Sequence, residues 1–202
     1  MKHTHQLVME RTATLSPCGT YRYRLGRRWS AGGEVLLFVM LNPSTADADV
    51  DDATIRRCIK FAQAHGFNAL EVVNLFAYRA TDPKDLRRAG WPAGPDNDAH
   101  IAEAATAAAA VCLAWGSNVA GLERPQVVLP MLRALGARLL CLRITRSGYP
   151  QHPLMLPSTC KLIAFNEEAI QDAMLGTTAA PRPSSKPADW PFPVSAHDFK
   201  HD

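Results

Sequence analysis

The sequence predicts an α/β fold: a three-layer α/β/α sandwich around a central, mainly parallel four-stranded sheet, preceded by an N-terminal β-hairpin. Three observations lead there. Four largely apolar runs, residues 35–41, 70–76, 109–115 and 138–144, alternate with segments of helical periodicity, and such alternation builds parallel sheets covered on both faces. The runs are nearly continuous, as strands buried on both faces are. Each also breaks abruptly into a polar loop, and in open α/β sheets those loops form the binding crevice at the carboxyl ends of the strands.

The hairpin comes first. Residues 12–15 and 21–25 flank Ser16-Pro17-Cys18-Gly19, a Pro/Gly turn, and Tyr21 and Tyr23 alternate with arginines as in a half-buried strand. Gly32 and Gly33 break the chain before the first central strand, VLLFVML. That strand runs into Asn42-Pro43-Ser44-Thr45 and then into Asp47, Asp49, Asp51 and Asp52. Asp51 or Asp52 is placed to cap a helix carrying Ile55, Cys58, Ile59 and Ala62 on its apolar face, with Gly66 at its end. The second central strand, LEVVNLF, leads to Tyr78-Arg79-Ala80-Thr81, and Thr81 or Asp82 caps a short helix with Pro83 in its first turn. Asp96-Asn97-Asp98 caps an alanine-rich helix that must become strand near residues 109–115. A helix over 125–135 stops at Gly136, the fourth strand follows, and a last amphipathic helix is expected over 166–174. The stretch from Gly176 onward is Pro/Ser-rich. The expectation is therefore one domain over 1–175 and a disordered tail over 176–202.

Composition bounds the function without choosing it. With 202 residues, 47% hydrophobic and 20% charged, the chain can bury a real core. A net charge of +3 is too mild to argue for nucleic acid by itself. Arg22, Arg24, Arg27 and Arg28 are the nearest thing to a basic run, and they read as a solvated hairpin face sooner than a phosphate clamp. The five cysteines are scattered, with no C-x-x-C pair, so neither zinc nor an iron–sulfur cluster is suggested. Three of them lie in apolar surroundings and suit a reducing compartment. The first residues lack a signal-peptide core and no run is long enough to span a membrane. A cytoplasmic protein with no cofactor, no resident metal and no membrane contact is expected, its oligomeric state left open.

If the sheet is parallel, the loops after its strands open on one edge, and Asn42, Asn74, Trp115 and His152 converge there from distant parts of the chain. Pro43 holds Asn42 extended, so its amide is aimed; it can orient a water or read a base edge, or it is a turn residue bonding nearby backbone. Ser44 and Thr45 have no histidine or acid partner and read as hydrogen-bonding loop residues. The aspartates could ligate magnesium, and Asp47 could act as a general base on a water. His152, in a loop hinged by Gly148, could donate to a developing negative charge, or be a plain surface histidine. Arg79 and Arg146 follow strand ends and could meet phosphate or carboxylate, or pair with the aspartates. Phe76 and Trp115 are the candidates for a stacking wall.

The stretches LLFVMLNPSTADADVDDATIRRC, VVNLFAYRATDPKDLRRAG and GPDNDAHI, with Ala114-Trp115-Gly116 and the later HPL, resemble the bacterial and phage proteins of domain-of-unknown-function family 1643. The resemblance runs from about Tyr21 to Pro157, with Ala53 where the family pattern suggests proline. The family has no established activity to lend. A second resemblance is to the uracil-DNA glycosylase superfamily, through strand–LNPS, strand–NLF and the late His-Pro loop. It implies a water held by Asn42, a base read by Asn74 and a departing base anion stabilised by His152. Leu41 stands where that pattern usually has glycine and Leu154 where it has serine. The expected function is an N-glycosidase-type hydrolase acting on a nucleobase in nucleic acid or a nucleotide. The alternatives are a non-catalytic nucleotide or nucleic-acid binding module and a metal-dependent phosphoesterase using the aspartate cluster.

Overall fold

The structure is a computed structural model that describes residues 9–44, 46–166, 168–170 and 172. Its strands are β1 (Glu10–Leu15), β2 (Arg22–Arg28), β3 (Val35–Met40), β4 (Ala69–Asn74), β5 (Ala110–Leu113), β6 (Leu139–Cys141) and β7 (Ile163–Ala164). They form one seven-stranded mixed sheet in the order β1-β2-β4-β3-β5-β6-β7. The helices are α1 (Ala53–Ala64), α2 (Pro83–Arg88), α3 (Asn97–Ala107) and α4 (Arg124–Ala134).

The expected four-stranded sheet is thus corrected to a larger one. β4, β3, β5 and β6 do run parallel to one another. The hairpin, however, is part of the same sheet, because β2 pairs antiparallel with β4 through Leu25↔Val72 to Arg28↔Ala69. On the other side β7 pairs antiparallel with β6. The run over 138–144 yields only a three-residue strand, since Ile144 leaves the sheet to bridge Pro150.

The sheet is covered on both faces because β3 alternates between two cores. Leu36, Phe38 and Met40 pack with Ile55, Cys58, Phe61 and Ala62 of α1. Leu37 and Val39 pack with Ile101, Ala104 and Ala105 of α3 and with Val128 and Leu132 of α4. A strand buried on both faces needs apolar residues at consecutive positions, hence its continuous run. Cys58, Cys112 and Cys141 are buried, and burial pushes the Cys141 thiol up to about 12.

Capping residues fix where the helices begin. Asp52 Oδ1 accepts from Ile55 N at 2.8 Å and Asp82 Oδ1 from Lys84 N at 2.8 Å. Asp96 precedes α3 without a side-chain capping bond. Of the helix expected over 166–174, residues 168–170 and 172 are helical, and Asn166 Oδ1 accepts from Ala169 N at 2.8 Å. Its remaining residues beyond 172, and the tail over 176–202, lie outside the described residues. Among the described residues no helix is long and apolar enough to cross a membrane.

The order of the parallel strands sets the place of the crevice. From β3 the chain moves outward to β4, then crosses back over β3 to β5. The direction of winding therefore changes between β3 and β5, which is where loops diverge and leave a cleft at the carboxyl edge.

Candidate active site

A cavity of about 550 Å³ opens at that edge. It brings together Asn42, Asn74, Trp115 and His152, with Ser44, Asp52 and Arg22 also in its wall. The convergence expected from the strand ends is therefore present.

Asn42 follows β3, and its Nδ2 donates to Ala80 O at 2.7 Å and Pro43 O at 3.0 Å. Ala80 N in turn donates to Pro43 O at 3.0 Å. The loops after β3 and β4 are thereby locked to each other. The amide does bond nearby backbone, and this same bonding aims it, leaving Oδ1 as the side chain's acceptor.

Asn74 closes β4 and is 1% exposed, and its Nδ2 finds no partner among the described residues. Its backbone is held from α3: Asn97 Nδ2 donates to Asn74 O at 2.9 Å and Leu75 O at 3.1 Å. Arg124 Nε adds a bond to Leu75 O at 2.7 Å. Asn97, read as part of a cap, is in fact a buried clamp on the strand that presents Asn74.

Trp115 lies two residues beyond β5, packed edge-on against Phe165 with ring centroids 6.5 Å apart. Its Nε1 is buried and unpartnered among the described residues. Gly116 follows at φ 75°, ψ −171°, a conformation open essentially to glycine alone. Its N–H donates to Pro150 O at 2.8 Å, tying the β5 end to the loop that carries His152.

That loop is a small hairpin, with Thr145 N donating to Tyr149 O at 2.8 Å and Gln151 N to Arg143 O at 2.9 Å. His152 Nδ1 accepts from Leu154 N at 3.3 Å. An accepting Nδ1 carries no proton, so the neutral ring holds its hydrogen on Nε2. Burial lowers the His152 pKa below its ordinary value, while the Asp52 carboxylate pulls the other way. His152 is a neutral donor in a half-buried wall, not a surface histidine.

Several expected site residues stand elsewhere. Asp47 is not in the cavity wall: its Oδ1 accepts from Asp49 N and Val50 N, each at 2.9 Å, closing a turn. These bonds hold its carboxyl below the usual range, which makes it a weak base. Asp52 is the carboxylate in the wall instead. Phe76 is core, 3% exposed and 5.3 Å from the Trp91 ring. β4 ends at Asn74, so strand alternation no longer carries Phe76 to the cavity side. Arg79 is exposed, with Nη1 donating to Gly19 O at 3.2 Å, and Arg146 is exposed; neither lines the cavity. Ser44 is in the wall, and Thr45 lies outside the described residues.

The aspartates divide into separate tasks. Asp51 pairs with Arg11 at 3.0 Å and with Arg27 at 2.7 Å, Asp52 caps α1, and Asp47 closes its turn. No group of three or more His, Cys, Asp or Glu able to share one metal ion occurs among the described residues.

Sequence reading missed Arg22. It is 3% exposed and lines the cavity, with Nη1 donating to Ala46 O and a buried, unpartnered Nε. Burial pushes its pKa down to about 10, against the pull of Asp52. The expected solvated arginine face is corrected likewise for Arg27, 1% exposed. Both errors have one cause: β2 is an interior strand, not half of a free hairpin.

No curated protein and no solved structure matches the chain. One family does, described as "Protein of unknown function (DUF1643)", over residues 22–154. Those limits run from Arg22 in β2 to Leu154, the first and last residues of the cavity wall. They cover well over half of the sequence, and the chain belongs to this family.

Proposed function

We propose that the cavity is the active site of an N-glycosidase-type hydrolase that removes a nucleobase from nucleic acid or from a nucleotide. The observation that carries this reading is the meeting of Asn42, Asn74 and His152 in one wall. They are the three positions for which the glycosylase resemblance implies water, base and leaving-group roles. In this reading Asn42 Oδ1 orients a water against the sugar carbon that bears the base. Asp52 takes over from Asp47 as the group that accepts the water's proton. The C–N bond breaks with its electron pair leaving on the base, and the His152 Nε2–H donates to the base anion as charge develops. A neutral imidazole suits this role, since it stabilises charge without itself being titrated. The departing base finally takes a proton from solvent.

The test is base release, scored by chromatography, from oligonucleotides and free nucleotides carrying uracil, hypoxanthine and the common bases. Removing a donor that acts on developing charge costs about 10²–10³ in rate, so His152→Ala should fall by that order. Asn42→Ala, which loses the acceptor that orients the water, should also slow release, both variants remaining folded. No release from any substrate by a folded protein sinks the hydrolase reading.

One observation also favours a binding module: unpartnered buried donors in the wall need only a ligand with acceptors. That reading predicts saturable binding without product, unaffected by His152→Ala. The phosphoesterase reading loses its support with the dispersal of the aspartates.

A further inference from the structure

β2 carries two buried arginines, and they form an internal comparison. Arg27 is compensated: Nε reaches Asp51 Oδ1 at 2.7 Å, and its other nitrogens donate to Gly26 O at 2.7 Å and to Asp47 O. Arg22 is not. It donates to the Ala46 carbonyl, and no carboxylate among the described residues lies within ion-pair distance of it. A buried cation without a paired anion is among the costliest features a fold can hold, and such groups are kept where a ligand completes them.

The other unpartnered groups of the wall agree with it. Within the cavity wall the buried atoms lacking partners are Arg22 Nε, Asn74 Nδ2 and Trp115 Nε1. All three are N–H donors; Trp115 cannot accept at all, nor can Arg22. A ligand that satisfies these groups presents acceptors, and beside a guanidinium the acceptor that balances charge is an oxyanion. With Nη1 held by Ala46 O, the Nε edge of Arg22 remains for a side-on contact with such a group. The cavity's 550 Å³ falls among small-ligand sites, roughly 300–1,000 Å³.

We infer that Arg22 is the seat for a phosphate group of a nucleotide ligand, with Asn74 Nδ2 and Trp115 Nε1 donating to neutral acceptors of the same molecule. This rests on the nucleobase-hydrolase reading for the identity of the ligand and adds the phosphate to it. The phosphate belongs either to a free nucleotide or to one within a strand.

The experiment is calorimetric binding of nucleosides, their 5′-monophosphates, inorganic phosphate and short single-stranded oligonucleotides. The proteins are the full chain and its Arg22→Gln, Arg22→Lys and Trp115→Phe variants, each checked by circular dichroism. Monophosphates should bind the full chain at least tenfold tighter than nucleosides. Arg22→Gln should erase that ratio, Arg22→Lys should keep part of it, and Trp115→Phe should weaken nucleoside and monophosphate equally. Should Arg22→Gln not fold, Arg22→Lys and competition of monophosphate by inorganic phosphate decide the matter. Binding of oligonucleotides but not free monophosphates assigns the phosphate to a strand; the reverse assigns it to a free nucleotide. Equal affinity for nucleoside and monophosphate, a ratio untouched by Arg22→Gln, or no binding of any phosphate-bearing probe overturns the inference. An Arg22-dependent ratio without base release leaves the phosphate seat standing while the hydrolase reading falls. Base release with no Arg22-dependent ratio does the opposite.

Discussion

At the scale of the residue, the state of His152 follows from two neighbours and a wall. Leu154 N fixes the hydrogen on Nε2, and burial keeps the ring neutral against the weaker pull of Asp52. Its folded pKa lies below the ordinary 6.5, so between those values the unfolded chain binds a proton that the folded chain does not. Stability from this site is therefore complete above pH 6.5 and declines as pH falls toward the folded value. Histidine NMR titration should place His152 below the exposed histidines, and His152→Asn should flatten the acid decline in melting temperature. A His152 that titrates at or above 6.5 would break the neutral-donor argument. The place of this residue beside the cavity was legible in the sequence, because it lies in the polar loop that follows the fourth apolar run. Arg22 was not, because an arginine alternating with tyrosines reads equally well as surface, and only pairing across the sheet shows that both its faces are covered.

At the scale of the element, the site depends on how strand ends are held. Beyond Asn74 the N–H groups of Leu75 and Phe76 still donate to Met40 O and Leu41 O, at 2.9 and 3.0 Å. The Asn74 and Leu75 carbonyls instead take side-chain donors, which Asn97 and Arg124 supply. Leaving a buried carbonyl unpaired costs about 1–3 kcal/mol. Asn97→Ala leaves the Asn74 carbonyl without its donor while Leu75 O keeps Arg124 Nε, so urea unfolding should show a loss of about 1–3 kcal/mol. Because the frame of Asn74 moves with it, ligand affinity should also fall although Asn97 lines no part of the cavity. A variant that loses stability but keeps full affinity would show that Asn74 is positioned without this clamp. The helix starts were readable from Asp52 and Asp82 because capping is local chemistry. The clamp was not, since Asn97 sits 23 residues from the carbonyl it holds and nothing in its neighbourhood distinguishes it from a capping asparagine.

At the scale of the whole molecule, continuous apolar runs made the four parallel strands legible, because each is buried on two faces. The antiparallel additions were not legible. β2 reaches burial with Arg22, Tyr23 and Arg27 around a single aliphatic, Leu25, and β7 has only two residues. This difference has an energetic consequence, since the interior position of β2 forces two guanidinium groups out of water in unlike ways. Arg27 is bound into the fold through Asp51 and backbone oxygens, so Arg27→Met strands its partners. Asp51 keeps Arg11, which places the loss near the low end for breaking a buried pair, about 3 kcal/mol. For a chain of this size each kcal/mol moves the melting temperature by about 2–4 °C, so a fall of roughly 6–12 °C is expected. Arg22→Met removes a buried charge that has no ion pair among the described residues and feels Asp52 only at longer range, and it fills the same space with an apolar chain. The protein should therefore melt at an unchanged or higher temperature. The two substitutions are chemically identical and lie on the same strand, so their difference isolates the effect of the carboxylate that pairs with Arg27 and has no counterpart at Arg22 among the described residues. If Arg22→Met costs as much as Arg27→Met, Arg22 is a structural cation already balanced within the fold, and the cavity has no need of an anionic ligand.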